Sequence, residues 1–90
     1  MIRIKPGYSL RQVLDAYLIM GVGKAAYRPH CIMSLNETGA FLWNLLKDGA
    51  EEKDLIIRML AEYDVDEAAA KKDVAAFLGQ LREKALIEDA

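Results

Sequence analysis

The sequence predicts an α+β domain: an N-terminal three-stranded antiparallel sheet followed by three helices, in a winged helix-turn-helix-like arrangement. Three observations carry this. Residues 8–22 alternate and turn like a β-hairpin, and everything after residue 36 repeats its apolar residues at helical spacing. Between them one short apolar run, 31–35, passes into a helix with no room for a flexible loop.

The opening stretch, 1–5, alternates Ile2 and Ile4 with Arg3 and Lys5 and stops at Pro6-Gly7. It fits a short strand or a frayed arm, because proline cannot donate to a ladder and keeps such a stretch out of a sheet's centre. Over 8–14, Tyr8 and Leu10 fall on one side, Ser9 and Arg11 on the other; Asp15 supplies a turn, and 17–22 is nearly all apolar. These form a hairpin, with Gly21 and Gly23 ending its second strand. A connector, 23–30, closes with Pro29, and Cys31, Ile32, Met33, Ser34 and Leu35 form the third strand. Consecutive strands are usually neighbours, so this third strand is expected at an edge. Its outer N–H and C=O groups must then be hidden or used.

Two residues compete to cap the first helix, 37–47: Asn36, or Ser34 with Glu37 as its capping-box partner. Asp48-Gly49 ends it, Gly49 being suited to the left-handed position. The second helix, 52–63, spaces Leu55, Ile56, Met59, Leu60 and Tyr63 helically. After a tight turn at Asp64-Val65, Asp66 caps the third helix, 67–84, whose apolar stripe is Ala70, Val74, Phe77, Leu78, Leu81 and Ala85. Gly79 interrupts it at a cost of ~1 kcal/mol relative to Ala. Either another backbone approaches closely there or the helix simply tolerates it. Trp43, one turn from Lys47, is expected to be partly exposed, and Leu86-Ile87 to pack back onto the sheet or a helix.

Ninety residues make one domain, 1–90, and 53% hydrophobic with 29% charged residues is a globular composition. A net charge of −2 does not attract phosphate backbones. The lone cysteine, Cys31, excludes an intramolecular disulfide and fits a reducing cytoplasm. The longest apolar run, 16–22, falls far short of the ~20 residues that cross a bilayer. A cytoplasmic protein with no membrane partner is therefore expected.

Signals of catalysis are poor. His30 and Cys31 are the sole histidine and cysteine, so a metal site or nucleophile pair built on them would need unusual partners. Glu51, Glu52, Asp64, Asp66 and Glu67 cluster at helix starts, where they complement the helix dipole. No glycine-rich phosphate loop precedes a helix. The expectation is a protein that is not an enzyme and holds no cofactor or metal. Winged-helix DNA binding is the alternative that the shape suggests. Yet Lys71, Lys72, Arg82 and Lys84 interleave with Asp73 and Glu83, which reads as a solvated face.

Several stretches together resemble the PqqD-like family, proteins of pyrroloquinoline quinone biosynthesis and their relatives. These are Tyr8-Ser-Leu-Arg, the run Ser34-Leu-Asn-Glu-Thr-Gly-Ala-Phe-Leu-Trp43, Asp48-Gly49, Leu60-Ala-Glu-Tyr-Asp-Val65, and Asp73-Val74 with Phe77-Leu78 and Leu81. The similarity extends over about residues 3–88, and its most specific piece is Leu35-Asn-Glu-Thr-Gly-Ala40. The resemblance implies a small recognition element, without catalysis of its own, for the leader of a ribosomally made precursor peptide. It implies that the leader adds as a strand beside the third strand and the third helix. The domain then presents the precursor to a modifying enzyme, often of the radical S-adenosylmethionine type. Carried onto this chain, the ladder is Cys31, Ile32, Met33, Ser34 and Leu35; the helix wall comes from Val74, Phe77, Leu78 and Leu81, with Lys71 and Lys84 at the rim.

Two departures bear on that reading. Many relatives cap the second helix with Thr where this chain has Glu51, so that helix is expected to fray at its start. His30-Cys31 replaces a stretch that is often Asn-Gly-like, which bears on leader specificity. Strand addition needs an edge, free backbone groups and adjacent pockets, and the residues around 31–35 offer all three. The same edge could instead pair with its own copy in a homodimeric structural protein.

Overall fold

A computed structural model gives the chain as β1 (Ile2–Ile4), β2 (Tyr8–Val13), β3 (Ala16–Gly21), β4 (Cys31–Leu35), α1 (Glu37–Leu46), α2 (Glu52–Glu62), α3 (Glu67–Glu83) and β5 (Ile87–Asp89). The structure describes residues 1–21 and 31–89, and of Cys31 the backbone alone. The predicted connector 23–30, with His30, and the expected strand end at Val22 lie outside the described residues.

The expected three-stranded antiparallel sheet is β2-β3-β4. β2 and β3 pair from Tyr8 opposite Gly21 to Val13 opposite Ala16, around a turn at Leu14-Asp15. Leu14 takes φ 55, a left-handed conformation rare for leucine, at the exposed tip of the hairpin. β4 pairs with β3 through Tyr17 opposite Leu35, Leu18 opposite Ser34 and Ile19 opposite Met33, then jumps to Met20 opposite Cys31. Ile32 is thus the extra residue of a bulge, which bends the strand and increases its twist.

A second sheet corrects the strand count. β1 is neither frayed nor idle: it pairs antiparallel with β5, Ile2 opposite Asp89 and Ile4 opposite Ile87. Ile2 also exchanges backbone hydrogen bonds of 2.8 and 3.0 Å with Ala50, just before α2. The predicted apolar tail at Leu86-Ile87 is this strand and its approach. Pairing satisfies backbone groups that would be costly to bury alone, because Ile2, Leu86 and Ile87 are all buried.

Each helix starts on an identifiable cap. Asn36, not Ser34, caps α1: its Oδ1 accepts from the Gly39 N–H at 2.7 Å. A Cβ on Gly39 would lie 3.2 Å from both that oxygen and the Leu35 Cβ, so glycine lets the helix begin directly against the end of β4. Gly49, at φ 82, turns the chain after α1 as expected. α2 begins better anchored than its Glu51 cap suggested, because the Glu51 N–H donates to the Asp54 Oδ2 at 3.2 Å. Asp66 caps α3 by accepting from the Ala69 N–H at 2.7 Å.

The core joins Ile19 of the sheet to Leu42, Trp43 and Leu46 of α1, Leu55 and Met59 of α2, and Val74, Leu78 and Leu81 of α3. Trp43 is 1% exposed, against the expectation of partial exposure: α1 turns it inward with Leu42 and Leu46, while Lys47 stays outside. Ala85 leaves the predicted α3 stripe. It sits exposed at φ 57, where the chain reverses to bring Leu86 inward. Gly79 faces open space, with nothing within 4 Å of where its Cβ would be, so tolerance and not close approach explains it. Among the described residues no helix is long and apolar enough to cross a membrane.

Candidate functional site

Among the described strands β4 lies at the margin of its sheet, paired on one side with β3. Because it passes straight into α1, its last residues and the first turn of α1 form one continuous wall. α3 supplies the facing wall. Between them is a groove of about 340 Å³, lined by Ser34, Leu35, Asn36, Thr38, Gly39 and Leu42 on one side and by Asp73, Ala76, Phe77 and Gln80 on the other.

The predicted site residues divide. Ser34, Leu35 and Phe77 line the groove. Ile32 and Met33 are half-buried on β4 and pack against the core, and Cys31 contributes the strand's first backbone position. Val74, Leu78 and Leu81 are all 0% exposed, which places them beneath the α3 wall, in the core. Lys71 stands outside the groove, its Nζ 3.1 Å from Glu67 one turn back. Lys84 ends α3, its N–H donating to the Gln80 carbonyl, and it too is absent from the lining.

Asp73, Ala76 and Gln80 escaped sequence reasoning, as did Asn36, Thr38, Gly39 and Leu42. On α3 the signal was spacing alone: 73, 76, 77 and 80 form a helical stripe beside the apolar stripe 70, 74, 77, 78 and 81. It carries an acid, a methyl, a ring and an amide, so no hydrophobic period reveals it. On α1 the lining residues are those of the cap and first turn, with Leu42 one turn further on.

The floor is apolar, from Leu42 and Phe77, and the rim polar, from Ser34, Thr38 and Gln80. Asp73 is the one charged side chain among the described residues lining the groove. Behind the α1 wall, the Phe41 and Tyr63 rings meet edge to face with centroids 5.4 Å apart, tying α1 to the end of α2. Burial pushes the Tyr63 phenol above its ordinary pKa; the Glu37 carboxylate adds to this, and a hydrogen bond with Thr38 opposes it. The basic side chains of α3 are partly spent on neighbours, Arg82 lying 3.7 Å from Asp89 as Lys71 does close to Glu67. Such a site can hold an extended chain, with backbone groups at the sheet margin and side-chain space against α3.

The family model for coenzyme PQQ synthesis protein D (PqqD) matches residues 25–87. No curated protein matches the chain. Two solved structures share its fold. One is TbiB1 in complex with the TbiA(beta) leader peptide, at TM-score 0.75 and 24% identity, covering 98% of this chain and 96% of that one. The other is lasso peptide synthetase B1 complexed with the leader peptide, at TM-score 0.74 and 24% identity, covering 98% of each chain.

Proposed function

We propose a function from one premise: this chain belongs to the PqqD family. It is a peptide-recognition domain, spanning 1–90, that binds the leader of a ribosomally made precursor by strand addition to β4 beside α3. The observation that carries this reading is the groove, open between a marginal strand and α3 and lined by residues of both. The two solved structures of like fold are both leader-peptide complexes, which supports it.

The winged helix-turn-helix description belongs to this reading, with α2 and α3 as the helix pair and β1–β5 beside them. The domain performs no chemistry itself. It presents the precursor to a modifying enzyme, of the radical S-adenosylmethionine type or another class, in the cytoplasm. Ordering a disordered leader costs ~2–5 kcal/mol of the gross interaction. Binding near micromolar, about −8 kcal/mol, is what such an encounter needs if the product must leave.

The test looks for a short precursor-peptide gene beside this one and uses its leader, synthesised with a fluorescent label. Anisotropy titration gives the dissociation constant, and amide shifts in an isotope-labelled domain locate the contact. Shifts centred on 33–36 and 73–80 are expected. Shifts centred on α2, or no binding, overturn the reading. Homodimer formation through β4 predicts a doubled solution mass that the peptide reduces. DNA binding predicts an affinity that falls steeply with salt.

A further inference from the structure

Among the described residues the groove is lined by polar, small and apolar groups with a single charge, Asp73, and that charge bears on what fits. The Asp73 carboxylate makes no ion pair or side-chain hydrogen bond with any described residue. The acids at the start of α3 are already engaged: Asp66 accepts from the Ala69 N–H and Glu67 holds Lys71. Lys72, the next cation, points about 100° round the helix from Asp73. Along the described lining of α3 the groove is therefore negative at Asp73 and carries no charge at Ala76, Phe77 or Gln80.

Spacing adds a second constraint. Phe77 lies one helical turn from Asp73, about 6 Å along the axis. Side chains on one face of a strand recur every two residues, about 6.6 to 6.8 Å. A strand running along α3 that seats one apolar side chain over Phe77, Ala76 and Leu42 places its neighbour two residues away at Asp73.

We infer that the peptide class taken by this groove carries a lysine or arginine two residues from an apolar anchor, the cation meeting Asp73. This rests on the groove being the peptide site. A cation at Asp73 selects register as well as identity, since a slip by one residue would turn both side chains away from α3.

The test selects binders from a displayed library of random 12-residue peptides, against the wild-type domain and against Asp73→Lys. Ala76→Arg, which fills the groove from an exposed helix position, identifies the peptides that bind there. Groove binders of the wild type should show Lys or Arg two positions from an apolar residue. Asp73→Lys should replace that preference with Asp or Glu. For one selected peptide, Asp73→Asn should weaken binding by about three- to fivefold, the range of a partly exposed ion pair. That loss should shrink as salt is added. Groove binders indifferent to charge at that position, or the same peptides selected by Asp73→Lys, overturn the inference and leave the peptide site standing. Selected peptides that Ala76→Arg does not displace, or none selected, remove the peptide site and the inference with it.

Discussion

Two adjacent stripes of α3 have opposite duties. Val74, Leu78 and Leu81 are sealed in the core, while Asp73, Ala76 and Gln80 face the groove; Phe77 belongs to both, lining the groove while 7% exposed. The difference teaches where sequence patterns stop. Burial leaves a period, because every core position must be apolar. The groove wall leaves none, because its exposed residues are under no such demand.

Substitutions can break the comparison. Phe77→Ala, at the shared position, should cost on the order of 3–5 kcal/mol of stability and also remove part of the groove's floor. Thermal or urea unfolding gives the first effect, and titration at a temperature where the variant is folded gives the second. Leu78→Ala should cost about 2–5 kcal/mol while the folded fraction binds peptide with unchanged affinity; a weakened affinity would mean the stripes are not separable. Ala76→Arg should do the reverse, losing at least about tenfold in affinity, or 1.4 kcal/mol, with stability within about 0.5 kcal/mol. The smallest effect sharpens the boundary. Gly79→Ala has open space on an exposed helix position and should stabilise by up to ~1 kcal/mol without touching binding. A loss of affinity there would extend the binding wall beyond Gln80.

Much of the fold was legible because local chemistry dictates it. The strand 31–35 was found residue for residue, since a short run rich in β-formers is cut off sharply by Asn36. The stripe on α3 was found up to Leu81 for the reason given above, and failed at Ala85, where the chain turns by a positive φ that alanine does not announce. The β1–β5 pair was out of reach. Each strand is three residues long, and their union joins Ile2 to Asp89, so no local signal predicts it. Of the expected site residues, Ser34, Leu35 and Phe77 line the groove, whereas Val74, Leu78 and Leu81 lie one stripe deeper, in the core. Trp43 was misplaced because Lys47 one turn away marks only an edge of the helix, not the orientation of the ring.

The bulge at Ile32 has a consequence for anything that docks along β4. A regular margin repeats every two residues, so a guest can creep by that unit and find much the same ladder. One inserted residue spoils the repeat, and a guest that has crept past it meets donors and acceptors out of phase. For a peptide docked as proposed, the kink would be a doorstop: it would fix how far the guest slides in, and with that how much of its length hangs free.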